Sequence, residues 1–126
     1  HSFVVNEARR RVITDFAYCH IKRDNNQLEL PYPEAASIYM DIPFEISLPD
    51  IESLEKMKFL GVRVCRYQTN KVVQWIYEKD GAQYSAFMMP SKEDLKVSSK
   101  QRGEFKDVPV SFWSDKDALY GFAGKP

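Results

Sequence analysis

The chain is poor in the residue types that most catalytic and metal-binding motifs require. Its 126 residues include only two cysteines, two histidines and five glycines. They contain neither a Cys-x-x-Cys pair nor a glycine-rich phosphate loop, which excludes zinc-ribbon, thioredoxin-like and P-loop proteins. No run of about eighteen apolar residues occurs, so the sequence predicts no transmembrane helix.

The chain also lacks an excess of charge of either sign. Eighteen basic and eighteen acidic residues give a formal net charge of zero at pH 7. A nucleic-acid binder needs surplus Lys and Arg to displace counterions, and a polybasic membrane-surface protein needs the same surplus. We therefore expect neither partner. The 44% hydrophobic and 13% aromatic content is enough for a core, and the length suits a single domain over residues 1–126.

Alternating apolar and polar side chains predict strands in the middle of the chain. Residues 59–67 and 72–77 both follow a period of two, which is typical of pleated strands with two distinct faces. Asp80-Gly81 supplies the positive φ angles that a tight hairpin turn demands. A second hairpin is predicted from residues 108–112 and 118–122, with its turn at residues 114–117.

Two helices are expected before these strands. Helical spacing of apolar residues predicts the first over residues 4–23, and Pro33 is well placed to begin a second, short helix that ends before Pro43. An edge strand is predicted at residues 44–48 and a long polar loop at residues 91–107. We expect Ala35, Ile38, Tyr39 and Ile42 to form the buried face of the second helix. The predicted class is α+β: two helices on one face of a mostly antiparallel sheet of about five to six strands.

Cys19, His20 and Cys65 are the first candidate site residues. The simpler interpretation of the two cysteines is a pair of buried, unreacted thiols, and the alternative is one disulfide. His20 adjacent to Cys19 is typical of a histidine at a helix end, although the two residues together with Cys65 remain an alternative metal or ligand site. Since the sequence lacks a nucleophile with a positioned base, we expect no enzymatic activity, no cofactor and no bound metal.

Arg63, Trp113 and Tyr120 are the other candidates. Arg63 alternates away from Val62 and Val64, so we expect it either to stack on Tyr67 or Trp75 at the surface or to contact a ligand. Aromatic neighbours on both strands of the last hairpin predict that Trp113 packs in the core. The sheet edges and aromatic hairpins are expected to supply the partner-binding surface, with Trp113 and Tyr120 in it.

The order of these motifs resembles the extracytoplasmic domain of bacterial membrane-anchored anti-sigma factors. In that family a helix with a histidine is followed by a Leu-Pro-Asp segment, a strand with a Gly-x-Arg motif, an aromatic hairpin and a final hairpin with Trp. The corresponding segments here are the helix ending at His20, Leu48-Pro49-Asp50, Gly61-Val62-Arg63, Trp75 with Tyr77 and Tyr84, and Phe112-Trp113 with residues 119–124. The resemblance covers roughly residues 10 to 124.

This resemblance implies a regulatory, non-enzymatic role on the periplasmic side of the bacterial inner membrane. The domain would sense a signal or bind a protein. A cytoplasmic segment upstream would hold a sigma factor inactive, and a membrane helix would connect the two. Since the chain opens on His1-Ser2-Phe3 without Met, we expect it to be a segment of a longer protein. Homodimerisation is left open.

Overall fold

The computed structural model describes residues 2–22 and 26–124. The chain begins with helix α1, continues through short helical turns and then forms six strands. The helices are α1 (Ser2–Ile21) and α2 (Ala36–Tyr39), and short 3-10 turns lie at Pro33–Ala35, Glu52–Lys56 and Glu93–Leu95. The strands are β1 (Lys58–Tyr67), β2 (Asn70–Lys79), β3 (Ala82–Pro90), β4 (Gln101–Phe105), β5 (Val108–Asp115) and β6 (Ala118–Ala123). The predicted end of the first helix at Arg23 lies outside the described residues.

The strands form one six-stranded antiparallel sheet in the order β1-β2-β3-β6-β5-β4. Four hairpins, β1–β2, β2–β3, β4–β5 and β5–β6, join strands that follow one another along the chain, and β6 returns to pair with β3. The α+β class and the antiparallel sheet are confirmed. Within the described residues, no helix combines the length and hydrophobicity that a transmembrane segment needs.

Local turn chemistry explains the first two hairpins. Asp80 and Gly81 have φ angles of 53° and 78°, as expected for the predicted turn between β2 and β3. The turn before β2 likewise places Gln68 at a φ of 55°. The predicted hairpin of β5 and β6 is present, and its register pairs Trp113 with Tyr120.

The two faces of the sheet carry separate hydrophobic clusters. Val72 packs with α1, whereas its neighbour Val73 packs with α2 and Leu54. Adjacent strand residues point to opposite faces, so α1 and α2 cover opposite faces of the sheet rather than the same one. Leu28 forms a bridge to Val62 at the edge of β1, where the chain passes from one face to the other.

Three local expectations differ from the structure. The polar segment 91–107 contains strand β4, which pairs with β5. Residues 44–48 lie in irregular structure instead of an edge strand. Ile38 and Tyr39 are 68% and 64% exposed, so they do not form a buried face. A single turn of helix buries mainly its Ala residues here, because Ala35 and Ala36 allow close approach to the sheet.

Gly121 marks the closest approach of α1 to the sheet. A Cβ added there would lie 2.6 Å from Cδ2 of Phe16, whose ring stacks on Phe87 with centroids 4.4 Å apart. Phe16 is fully buried, so its ring can shift only by displacing the side chains packed around it. We expect Gly121→Ala to lower the free energy of unfolding by about 1–3 kcal/mol through overpacking.

Urea denaturation measures this loss, and Gly103→Ala is the matched control. A Cβ at Gly103 would lie 3.1 Å from the flexible end of Ile13, so a smaller loss is expected there. Equal losses for the two variants would contradict the proposed tight contact between Gly121 and Phe16.

Candidate functional site

A disulfide bond joins the end of α1 to β1. It connects Cys19 with Cys65, whose Cα atoms are 6.1 Å apart. The interpretation of two unreacted thiols is therefore wrong, and the alternative of a single bridge is correct. Sequence could not decide between them, because spacing along the chain does not show which strand faces the helix.

Arg63 lies beside the disulfide and is only 6% exposed. Its Nη2 donates to the backbone carbonyls of Cys19 at 2.6 Å and Lys22 at 2.8 Å. Its Nε donates to Oε1 of Gln74 at 2.8 Å. A helix leaves its last carbonyls without intrahelical partners, and these carry the negative end of the helix dipole. The guanidinium therefore caps α1. The two roles predicted from the sequence, a surface stack and a ligand contact, are both wrong, because Arg63 is buried.

Gln74, Ser85 and His20 complete this buried polar cluster. Nε2 of Gln74 donates to the carbonyl of Cys19 at 3.1 Å and to Oγ of Ser85 at 2.9 Å. Nδ1 of His20 lies 2.8 Å from the same Oγ. A serine beside a histidine is also the arrangement of a nucleophile and its base. Ser85 is fully buried beneath α1, however, so no substrate reaches it.

The sequence around Gln74 contains a signal for a buried polar contact. In β2 its side chain shares a face with Val72 and Ile76, which are both buried. A polar residue at a buried strand position needs a hydrogen-bonding partner, so its presence already indicated a buried polar contact. Its partner is the end of α1, which lies 55 residues away along the chain.

The alternative metal site loses its strongest ligands in the disulfide. Zinc and copper sites use cysteine as the thiolate, and both sulfurs here are bonded to each other. Over residues 2–22 and 26–124, no three His, Cys, Asp or Glu side chains are grouped so that they could hold a metal ion. The His20 cluster is therefore best explained as a structural joint between α1 and the sheet.

A shallow cavity of about 340 Å³ lies over the outer side of the disulfide. It is bordered by Arg11, Asp15 and Lys22. Burial raises the pKa of the Asp15 carboxyl, although a hydrogen bond from the Gln68 backbone and the charge of Arg11 oppose this shift. The cavity is open and small, and half of its lining residues are charged.

Trp113 and Tyr120 lie on the opposite face of the sheet from the disulfide. Their ring centroids are 6.1 Å apart, and the Tyr120 hydroxyl lies 2.6 Å from Oγ of Ser47. Trp113 is half-buried and belongs to neither hydrophobic cluster, so its predicted place in the core is wrong. The fully buried aromatic residue of this strand is its neighbour Phe112, which faces α1.

Trp113 borders a groove of about 560 Å³ that crosses β3, β6, β5 and β4. We call it the sheet groove. The chain from Pro33 to Met57 covers the neighbouring strands on this face and forms one wall of the groove. The aromatic and apolar side chains that line it are Ile51, Met57, Tyr84, Pro109, Trp113 and Phe122.

The rim of the sheet groove is basic. Lys79, Lys100 and Arg102 line it, against a single carboxylate from Asp80. Nζ of Lys100 lies 4.9 Å from the centroid of the Trp113 ring, a cation–π contact. The six predicted site residues therefore divide into two places. His20, Cys19, Cys65 and Arg63 meet at the end of α1, whereas Trp113 lines the groove and Tyr120 packs beside Trp113.

Comparison of the chain with protein-family models, curated proteins and solved structures returns no match.

Proposed function

We propose that this chain is a non-enzymatic sensing domain that works outside the cytoplasm and binds its signal in the sheet groove. The single observation that carries the proposal is that groove. It combines an aromatic floor with a basic rim, and its volume of about 560 Å³ lies within the usual range of small-ligand sites.

The disulfide supports a location outside the cytoplasm. Disulfides persist in oxidising compartments such as the bacterial periplasm and are rare in the cytosol, where thiols are kept reduced. The bond between Cys19 and Cys65 is compatible with the periplasmic side of the inner membrane. The resemblance to anti-sigma factors supplies the regulatory part of the proposal: an upstream segment would bind a sigma factor and this domain would control it.

The arrangement of polar groups supports a binding role over catalysis. His20 and Ser85 are engaged in the buried joint at the end of α1. The groove side chains with an ionisable group are Lys79, Asp80, Tyr84, Lys100 and Arg102. Its one carboxylate, Asp80, lies exposed in the β2–β3 turn, whereas acid–base catalysis on two carboxyls needs a pair in contrasting environments within a cleft.

A transcription reporter in the native bacterium tests this proposal with the full-length protein. We expect deletion of the gene to raise transcription from the promoters of one sigma factor, and expect the wild-type gene to restore the low level. Trp113→Ala is expected to alter the response, since it removes part of the groove floor. Tyr18→Ala, on the opposite face and 48% exposed, is the matched control.

A phosphatase that is active only outside the cytoplasm, fused after residue 124, gives an independent measurement. We expect it to be active. An inactive fusion, or a deletion strain in which no sigma-dependent promoter changes, would show that the proposed location or regulatory role is wrong.

A further inference from the structure

We infer that the sheet groove binds an amphiphilic anion: a free molecule with an apolar body and one carboxylate or phosphate group. This inference rests on the proposed function, since it names the class of signal that the same groove takes. Three features of the groove support it: the unneutralised charge of its rim, the position of those charges relative to the aromatic floor, and its shape.

The basic residues of the rim are not neutralised by neighbouring acids. In the described part of the chain, neither Lys79 nor Lys100 nor Arg102 forms an ion pair. All three are exposed, and the chain as a whole has no net charge. Three cations around one carboxylate are therefore a local excess, and such an excess beside a concave surface attracts an anion.

The apolar floor lies between these charges. The rings of Tyr84 and Phe122 stack with centroids 5.9 Å apart. Cross-strand register places Phe122 beside Ser111, and Ser111 beside Arg102, so the charged rim follows directly after the aromatic floor on β4. Lys100 lies two residues before Arg102 on the same side of the floor, with its Nζ over the Trp113 ring. An apolar body lying on Tyr84 and Phe122 would thus place its anionic end between Lys100 and Arg102.

The shape of the groove favours a free small molecule over a lipid bilayer or a protein. The groove crosses four neighbouring strands, which at the usual spacing between strands amounts to about 14 Å. This length suits a medium-length hydrocarbon chain or two fused rings. Tyr84 is buried and Phe122 half-buried, whereas binding to a bilayer needs apolar side chains that protrude.

Isothermal titration with two probes of equal chain length tests the inference. Decanoate carries a carboxylate, and decyltrimethylammonium carries the opposite charge on the same chain. Below the micellar concentration, we expect one decanoate molecule to bind to each protein chain. Binding is also expected to change the fluorescence emission of Trp113. The cationic probe is expected to bind at least about tenfold more weakly, because Lys100 and Arg102 repel it.

Charge-removing variants locate the site. Lys100→Gln and Arg102→Gln are each expected to weaken decanoate binding about tenfold, because each removes a charge-assisted hydrogen bond. Lys71→Gln removes an equally exposed lysine at the start of β2, outside the groove, and is expected to leave the affinity unchanged. These residues are all exposed, and thermal melts verify that the variants fold.

Several results would overturn the inference. These are no binding of decanoate, equal affinity for the two probes, and a loss of affinity in Lys71→Gln as large as that in Lys100→Gln and Arg102→Gln. Tighter binding to phosphatidylglycerol vesicles than to decanoate would assign the groove to a membrane surface. Displacement of decanoate by a lower concentration of the peptide Glu-Trp-Glu would assign it to a protein partner. The reporter experiment does not depend on decanoate, so failure here is distinguishable from failure of the proposed function.

Discussion

Arg63→Met is expected to lower the free energy of unfolding by about 3–5 kcal/mol, because three acceptors lose their donor and each such loss costs about 1–3 kcal/mol. Methionine fills a similar volume but donates no hydrogen bond. The carbonyls of Cys19 and Lys22 and the amide oxygen of Gln74 would each lose a donor in a site that water barely reaches. A buried acceptor left without its partner bears the full cost of its desolvation.

Urea denaturation at neutral pH measures this loss, and Arg66→Met is the matched control. Arg66 lies on the same strand but is exposed, so its replacement is expected to change stability by less than about 0.5 kcal/mol. Arg63→Lys is expected to fall between the two, because an ammonium keeps the charge but cannot match the planar arrangement of the guanidinium donors. Similar losses for Arg63→Met and Arg66→Met would contradict the capping role of Arg63.

Removing the disulfide has the second large expected effect. The double variant Cys19→Ala/Cys65→Ala is expected to lose about 4 kcal/mol, since the two cysteines are 46 residues apart in sequence and the bond restricts the unfolded chain. Thermal and urea denaturation with and without reductant measure this loss. Reductant is expected to destabilise the wild type and to leave the double variant unchanged. If the wild type is as stable after complete reduction of its disulfide as before it, the prediction is wrong.

The disulfide and Arg63 restrain the same end of α1. Cys65 lies two residues after Arg63 on β1, and the carbonyl of Cys19 accepts from the guanidinium. Without the disulfide, the helix end could move away from the strand and the contacts of Arg63 would weaken. The two losses are therefore expected to be non-additive, which a double-mutant cycle measures directly.

Local patterns were enough to predict most strands and their turns. The alternation of residues 59–67 and 72–77 and the turn at Asp80-Gly81 depend on neighbours in sequence, and the structure confirms them. β4 was not predicted because Gln101–Phe105 contains one glycine, one aromatic residue and no β-branched residue, and therefore lacks the composition typical of a strand. It becomes a strand through pairing with β5 and contact with α1, which no local pattern encodes.

The candidate site shows the same division. The sequence pointed to His20, Cys19, Cys65 and Arg63, and these residues do meet, but as a structural joint. Trp113 was assigned to the core because its neighbours are aromatic. Its exposure depends on which face of the last hairpin α1 covers, and α1 covers the face of Phe112.

The sequence by itself determined the α+β class, the antiparallel hairpins and the absence of charge excess, because period, turn residues and composition act over a few residues. Only the tertiary structure decided that Cys19 bonds to Cys65, that Arg63 caps α1, and that Lys100 and Arg102 line the aromatic sheet groove. Each of these requires residues far apart in sequence to lie within a few ångströms. Such distances follow from the order of the strands in the sheet and from the face that a helix covers. No short segment of the sequence determines either of these.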